Sequence, residues 1–248
     1  MYPEAVLFDL DDTILSDDVA SEEAWNETCR RFAAGVKGCG PEELFEHVNR
    51  VRTAYWSDPD NLRSRAMGRE LFQSRLTIVR TALRELGVQD DGLAAAIVDT
   101  YREVKTGLLR FCPNATETIA GLTQRGIKLG LLTNGDAEGQ RVKIRRFDLD
   151  RYFPVCLVEG ELGFGKPDPR IYRLAIERLG TEAQRTWMVG DRLEFDIAGA
   201  KAAGMFGILA VYGRDESRRP SGVKPDAVIR DISELLMMVD KGNSKSRN

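Results

Sequence analysis

Near its N-terminus the chain reads Ala5-Val6-Leu7-Phe8-Asp9-Leu10-Asp11-Asp12-Thr13, four apolar residues followed at once by three acids within four positions. A short, continuously apolar run bounded by polar residues is typical of a parallel strand that is buried on both faces. Open α/β sheets bind ligands at the carboxyl ends of such strands. Clustered carboxylates repel one another and lose solvation, so a bound cation is the expected compensation. The stretch therefore predicts a metal site built around Asp9 and Asp11.

The composition is that of an ordinary globular protein. The 248 residues are 42% apolar and 30% charged, which is enough to bury a large core. A net charge of −3 predicts no nucleic-acid partner, and no apolar stretch approaches the roughly 20 residues of a membrane span. The sequence shows no secretory signal pattern, and its four cysteines form no CxxC pair. We therefore expect a cytoplasmic protein with reduced thiols.

The pattern along the chain predicts two parts. Residues 17–109 show helical spacing of apolar residues and no convincing strand, with helices starting at Pro41 and at the cap Asp91. Later residues alternate strand-like runs with amphipathic helices, which is typical of an α/β parallel sheet. We predict a Rossmann-like hydrolase core of residues 1–16 and 110–240, an inserted all-helical cap of residues 17–109, and a disordered tail of residues 241–248. The expected strands are 5–8, 127–132, 155–158, 186–189, 207–211 and 227–229.

Three further groups of polar residues follow predicted strands. Thr133-Asn134 lies in a strand-to-helix turn, where a hydroxyl and backbone amides can hold an anion. Lys166 stands just before another predicted helix, and Asp191 and Asp196 follow the strand that ends at Val189. Because carboxyl ends of parallel strands share one sheet edge, we expect these groups to converge on the first motif.

The order and type of these residues resemble the four motifs of the haloacid dehalogenase (HAD) superfamily. The resemblance covers the whole chain: DLDDT, TNG, GKPDP and GDxxxxD occur in that order, with a helical insertion after the first. The finer similarity is to the helical-cap phosphatase branch, near the N-acylneuraminate-9-phosphatase and pyrimidine nucleotidase groups. It is carried by the run Leu131–Asp136 together with Gln140 and Lys143-Ile144.

The resemblance implies a catalytic role for each motif. Asp9 would attack phosphorus and form an aspartyl-phosphate, which divides one difficult displacement into two easier steps. Asp11 would protonate the leaving oxygen and later accept a proton from water. Thr133 and the backbone amide of Asn134 would hold phosphoryl oxygens, and Lys166 would neutralise charge on the nucleophile and on the transferred group. Asp12 is expected to serve the turn instead of the chemistry.

The resemblance also implies a magnesium cofactor, since Mg²⁺ prefers hard oxygen ligands. Its ligands would be Asp9, the backbone carbonyl of Asp11 and Asp191, with Asp196 either a ligand or a residue behind the ligands. The expected function is Mg²⁺-dependent hydrolysis of a phosphomonoester of a small metabolite, because a helical lid would obstruct macromolecular substrates. The substrate itself and the oligomeric state are not predicted.

Four alternatives on this fold remain open at this point. A carbon–halogen hydrolase shares the nucleophile but needs no acid at the position of Asp11, and a phosphomutase shares the whole core. A phosphonatase would need a cap lysine, yet Lys37 and Lys105 lie in no recognisable context. A non-catalytic phosphate-binding module would be expected to lack a motif residue.

The predicted cap also contains a basic cluster, which comprises Arg63, Arg65, Arg69 and Arg75. The cluster could bind an anionic group of the substrate, although a solvated helix face is the favoured interpretation.

Overall fold

The computed structural model describes residues 2–36, 38–58, 60–61, 71–213 and 222–245. They divide into two compact units, which we call the core unit and the helical unit. The core unit comprises Met1–Ser16 and Phe111–Asn248, and the helical unit comprises Asp17–Arg110. Among the helices that the structure describes, none has the length and apolar character needed to cross a bilayer.

The core unit contains a six-stranded sheet in which every pairing is parallel. The strands are β1 (Ala5–Phe8), β2 (Lys128–Thr133), β3 (Val155–Val158), β4 (Thr186–Gly190), β5 (Phe206–Ala210) and β6 (Ala227–Ile229). Their spatial order is β3-β2-β1-β4-β5-β6, so the order reverses at β1. Ligand sites of open α/β sheets lie at such a reversal. The predicted α/β parallel sheet is confirmed.

The structure describes helices in both units. Those of the helical unit are α1 (Asp17–Phe32), α2 (Pro41–Ser57), α3 (Leu71–Glu85) and α4 (Asp91–Leu108). Those of the core unit are α5 (Ala115–Gln124), α6 (Ala137–Arg146), α7 (Glu159–Leu162), α8 (Pro169–Leu179), α9 (Ala198–Ala202) and α10 (Glu234–Lys245). Short 3₁₀ turns occupy Ala33–Gly35, Leu149–Arg151 and Ala183–Arg185, and a π-helical turn occupies Leu193–Ile197.

Strand β1 is buried on both faces, which explains its uninterrupted apolar sequence. Ala5 and Leu7 belong to an apolar cluster with α8, whereas Val6 and Phe8 belong to a cluster with α5 and α10. Successive side chains of a strand point to opposite faces, so each pair meets one layer of helices. Burial of each larger aliphatic side chain contributes about 1.5–3 kcal/mol.

Two expectations about helix ends need correction. The side chain that caps α4 is Asp90, which accepts a hydrogen bond from the backbone N–H of Leu93 (2.9 Å), while Asp91 is the first helical residue. The tail was expected to be disordered from Lys241, but α10 continues to Lys245. Leu235 and Val239 pack in the core and hold the helix in place. Once a helix is formed, each further residue adds a backbone hydrogen bond that offsets much of the conformational entropy lost in ordering it. Residues 246–248 lie outside the described part of the chain.

Candidate active site

The predicted motif residues converge at the carboxyl edge of the sheet, around β1. Asp9 follows β1, Thr133 ends β2 and Asp191 follows β4, and β1 pairs directly with both β2 and β4. The backbone N–H of Asp9 still donates to the carbonyl of Val189 (2.9 Å), so the nucleophile candidate is fixed to β4. All three side chains are buried.

Lys166 lies between two carboxylates. Its Nζ donates to Oδ1 of Asp9 (2.5 Å) and to Oδ1 of Asp196 (2.7 Å). All three side chains are at most 9% exposed. Charges buried to this extent lose their solvation, and short contacts with opposite charges are needed to offset that loss. The structure therefore places a buried cation on the carboxylate that the motif order selects as nucleophile.

Asp196 uses both carboxylate oxygens within the protein. Oδ1 accepts from Lys166, and Oδ2 accepts from the backbone N–H of Arg192 (2.9 Å). The π-helical turn that carries Asp196 is tied to α8, because the hydroxyl of Tyr172 donates to the carbonyl of Phe195 (2.5 Å). A side chain at Gly190 would collide with the Asp196 carboxylate, which explains the glycine at the end of β4. Asp196 thus fixes Lys166 in place.

Three acids form a group that could hold a metal ion. Asp9, Asp191 and Asp196 each offer a carboxylate oxygen, and these atoms lie within 4.8 Å of one another. All three residues are buried, and two unit charges 4 Å apart repel by about 4 kcal/mol at an effective dielectric near 20. A single lysine does not balance three carboxylates. A hard divalent cation with oxygen ligands fits both the charge and the donor atoms.

The pKa values of the acids report the same excess of negative charge. Burial raises the pKa of Asp9 from 3.8 to about 7, although the charge of Lys166 partly opposes this, and Asp196 raises it further. Burial and the charges of Asp9 and Asp196 raise the pKa of Asp191 well above its ordinary value. Burial lowers the pKa of the Lys166 ammonium, but the charges of Asp196 and Asp9 outweigh burial and raise it above the ordinary value. Lys166 therefore stays charged.

Asp11 does not share the position of the other acids. Its Oδ1 accepts from Nζ of Lys143 (2.6 Å), and its Oδ2 accepts from Nε2 of Gln140 (3.0 Å). Among the described residues, the carboxylate does not belong to the group of acids whose oxygens all lie within 4.8 Å of one another, although its charge still helps to raise the pKa of Asp9. The ligand expected from Asp11 is its backbone carbonyl, and that expectation stays a prediction.

The turn after β2 is locked to the loop that carries Lys166. Nδ2 of Asn134 donates to the carbonyl of Lys166 (2.7 Å), and the backbone N–H of Lys166 donates to Oδ1 of Asn134 (2.8 Å). The Asn134 side chain is therefore structural, and its phosphate role as predicted concerns the backbone amide alone. The Thr133 hydroxyl contacts Nε2 of Gln140.

Glu159 is a buried acid of this region that was not predicted from the sequence. Its Oε2 accepts from the backbone N–H of Gly135 (3.2 Å), and Gly160 donates from its own N–H to the carbonyl of Gly135 (3.0 Å). These two bonds fasten the Asn134-Gly135 turn to the end of β3. The only sequence signal was an acid directly after an apolar run, which also describes many surface turns.

The candidates in the helical unit have other partners. Nζ of Lys105 lies 2.6 Å from Oδ2 of Asp17, and the Arg75 guanidinium lies over the ring of Tyr101, 5.2 Å from its centroid. A lysine paired with a carboxylate does not favour the Schiff-base chemistry of a phosphonatase. Lys37 and the remaining arginines of the basic cluster lie outside the described residues; they are Arg63, Arg65 and Arg69.

The geometry agrees with comparisons to known proteins. A family model described as a haloacid dehalogenase-like hydrolase matches residues 3–204, well over half of the chain. The chain belongs to this family. The family predicted from the four motifs is thus confirmed, and phosphatases and a pyrimidine nucleotidase are among the similar proteins described next.

Three similar proteins of this family match over nearly their full length. A glyceraldehyde 3-phosphate phosphatase of Methanopyrus kandleri is 31% identical over 95% of this chain and 97% of its own. A phosphoserine phosphatase of Thermus thermophilus is 30% identical over 94% and 97%. The pyrimidine 5'-nucleotidase YjjG of Escherichia coli is 26% identical over 95% and 97%.

A solved structure shows the same fold. The HAD-hydrolase YfnB of Bacillus subtilis, in a form bound to magnesium, superposes with a TM-score of 0.74. The alignment covers 97% of this chain and 100% of that one at 23% identity. At this identity the similarity establishes the architecture and leaves the substrate open.

Proposed function

We propose that this chain is a Mg²⁺-dependent phosphatase that hydrolyses phosphomonoesters of small metabolites through an aspartyl-phosphate on Asp9. Its class, phosphoric monoester hydrolase, is that of the glyceraldehyde 3-phosphate and phosphoserine phosphatases that it resembles over most of its length. One observation carries the proposal: the Asp9 carboxylate is buried against Lys166 beside Asp191, while the Asp11 carboxylate is held elsewhere.

The first half of the reaction uses both acids of the first motif. An Asp9 oxygen forms a bond to phosphorus as the ester P–O bond breaks, and the departing oxygen takes a proton from Asp11. Lys166 offsets the negative charge of the nucleophile and of the approaching phosphoryl group. The hydroxyl of Thr133 and the backbone N–H of Asn134 hold phosphoryl oxygens.

The second half regenerates the enzyme. Water attacks the phosphorus of the aspartyl-phosphate and gives a proton to Asp11, and the bond between Asp9 and phosphorus breaks. Inorganic phosphate leaves, and both side chains return to their starting states. The carboxylate that changes roles between the two halves must not itself be a metal ligand, and the contacts of the Asp11 carboxylate with Lys143 and Gln140 support this assignment.

The clustered acids and the family resemblance together support a set of metal ligands. Asp9 and Asp191, with the backbone carbonyl of Asp11, would hold Mg²⁺, which supplies charge neutralisation for a phosphate dianion near buried carboxylates. Asp196 is better assigned behind the ligands, because both of its oxygens already accept hydrogen bonds from Lys166 and from the backbone of Arg192.

The similar proteins support a substrate class no narrower than small phosphorylated metabolites. The similar proteins are named for a triose phosphate, an amino-acid phosphate and pyrimidine nucleotides, whose leaving groups share little beyond size. Asp11 favours phosphate chemistry over the carbon–halogen alternative, since dehalogenation needs no acid there. A mutase would move phosphate between two positions of its substrate without releasing it.

We expect phosphate release from a panel of metabolite phosphomonoesters in Mg²⁺, and a loss of at least about 100-fold when EDTA removes the metal. Excess Mg²⁺ should restore the rate. Sustained turnover in EDTA would contradict the metal assignment, and isomerisation of a sugar phosphate without phosphate release would indicate the mutase alternative.

Metal binding should also stabilise the fold in a pH-dependent manner. The raised pKa values of Asp9 and Asp191 mean that the metal-free folded state binds protons more tightly than the unfolded state. Their contribution to stability is therefore present below about pH 4 and is lost as the pH rises towards about 7. Mg²⁺ replaces those protons, so it should raise the Tm more at about pH 8 than at about pH 5.

This linkage can be measured by thermal denaturation in EDTA and in Mg²⁺ at both pH values. Asp191→Asn is the control, because it removes one ligand and should shrink the increase in Tm that Mg²⁺ causes at the higher pH. An increase in Tm that is equal at the two pH values, or larger at the lower one, would count against a metal bound by these carboxylates.

A further inference from the structure

Two side chains of α6 contact the Asp11 carboxylate from distant positions in the sequence. Lys143 lies 132 positions from Asp11, and Gln140 lies 129 positions from it. Lys143 donates to Oδ1 (2.6 Å) and Gln140 donates to Oδ2 (3.0 Å), so each carboxylate oxygen accepts a hydrogen bond from the same helix. Two donors on two oxygens fix both the direction and the rotation of the carboxylate plane.

Gln140 extends these contacts to the phosphate-binding turn. Its Nε2 also lies within hydrogen-bond reach of the Thr133 hydroxyl and of the Asn134 carbonyl (3.0 Å). The residue is only 5% exposed, so water has little access to its amide group. A displacement of Gln140 would therefore alter the Asp11 carboxylate and the β2 turn together.

The helix that carries both donors is fixed directly behind β2. Its N-cap is Asp136, whose Oδ1 accepts from the backbone N–H of Gly139 (2.7 Å), three residues after the strand ends. Gln140 and Lys143 are three positions apart, which places them on one face of α6. The lysine is 16% exposed and Asp11 is 29% exposed, so this pair is considerably drier than a surface ion pair.

We propose that Gln140 and Lys143 are positioning residues that hold the Asp11 carboxylate apart from the Asp9, Asp191 and Asp196 group, in the orientation that proton transfer to the leaving oxygen requires. The inference rests on the proposed function, because it assigns the role of Asp11 in that reaction. Without these donors, the Asp11 carboxylate is free to rotate out of this orientation, and the leaving oxygen loses its proton source.

The test compares two phosphate esters that differ in their need for a proton. The departing alkoxide of an alkyl phosphomonoester requires protonation, whereas the phenolate of 2,4-dinitrophenyl phosphate leaves without it. In Lys143→Met we expect kcat/KM for the alkyl ester to fall at least about tenfold and kcat/KM for the aryl ester to fall less than about threefold. This parameter covers the steps up to departure of the leaving group, so slow hydrolysis of the intermediate does not mask the difference.

Two variants and a matched control complete the design. Gln140→Met should shift the ratio of the two kcat/KM values in the same direction, and Lys143→Arg should return it to within about threefold of wild type. Lys201→Met is the control, because Lys201 also pairs with a carboxylate of the core unit (Asp226, 2.5 Å) that is not a motif residue, and it should leave the ratio unchanged.

The outcomes separate this inference from the proposed function. Active wild-type enzyme, together with equal losses on both esters or no loss in Lys143→Met, would overturn the positioning role alone. Wild-type protein that hydrolyses neither ester in Mg²⁺ would overturn the proposed function and this inference with it. A selective loss on the alkyl ester that arginine restores would support the inference.

Discussion

Replacement of Asp9 by asparagine is expected to lower phosphate release by at least about 10⁴-fold, because the reaction then lacks its nucleophile. The loss should not come from unfolding. Burial raises the pKa of Asp9, so a neutral side chain relieves charge repulsion from Asp191 and Asp196 in the metal-free protein. We therefore expect the Tm of Asp9→Asn in EDTA to equal or exceed that of the wild type, as measured by circular dichroism.

Asp12→Asn is the matched control for this variant. It makes the same chemical change three positions along the same loop, at a residue with φ of +59°, a conformation that asparagine tolerates well. Its rate should stay within about fivefold of wild type, since no step of the reaction uses Asp12. Comparable losses in the two variants would show that loop structure, and not the nucleophile, limits the rate.

Lys166→Met is the second substitution for which we expect a large effect. It removes the buried cation between Asp9 and Asp196, and activity should fall by about 10²–10³-fold because charge on the nucleophile and the phosphoryl group is no longer offset. The free energy of unfolding should also fall by about 3–5 kcal/mol at about pH 8, where the remaining carboxylates repel one another. The loss should be smaller at about pH 5, where those carboxylates take up protons.

A second lysine separates the catalytic effect from the structural one. Lys128 starts β2 at the opposite sheet edge, where its Nζ donates to the carbonyls of Leu179 and Gly180 (both 2.8 Å). Lys128→Met should lower the free energy of unfolding, yet the folded fraction should retain its kcat. If Lys166→Met lost stability but kept kcat, the proposed role of Lys166 in the reaction would be wrong.

The sheet was readable from the sequence because most residues of β1 to β5 are buried. The apolar run of β1 and the run Val155–Val158 are continuous, and their bounds in the structure are those predicted. A helix is expected after the turn at Thr133-Asn134, but the bounds of α6 were not predicted, for the opposite reason. It buries only Gln140 and Ile144 among ten residues, so its sequence lacks the apolar periodicity by which a surface helix is recognised.

The site was predictable to the extent that it is built from local motifs. Each motif follows its own strand, and parallel topology brings the strand ends together without further information. The contacts of Asp11 with α6 depend on helix placement and side-chain direction over more than 100 positions, which spacing cannot supply. Spacing also cannot show that the Asp9 carboxylate lies in the acidic group with Asp191 and Asp196 whereas the Asp11 carboxylate does not.

The most direct test of the account is to trap the covalent intermediate. Wild-type enzyme turning over an alkyl phosphomonoester in Mg²⁺ is quenched and treated with borohydride, which reduces an acyl phosphate to an alcohol. Peptide mass spectrometry should then find homoserine in place of Asp9, with Asp11 unchanged. Reduction at another carboxylate, or no reduced residue in enzyme shown to be turning over, would contradict an aspartyl-phosphate on Asp9.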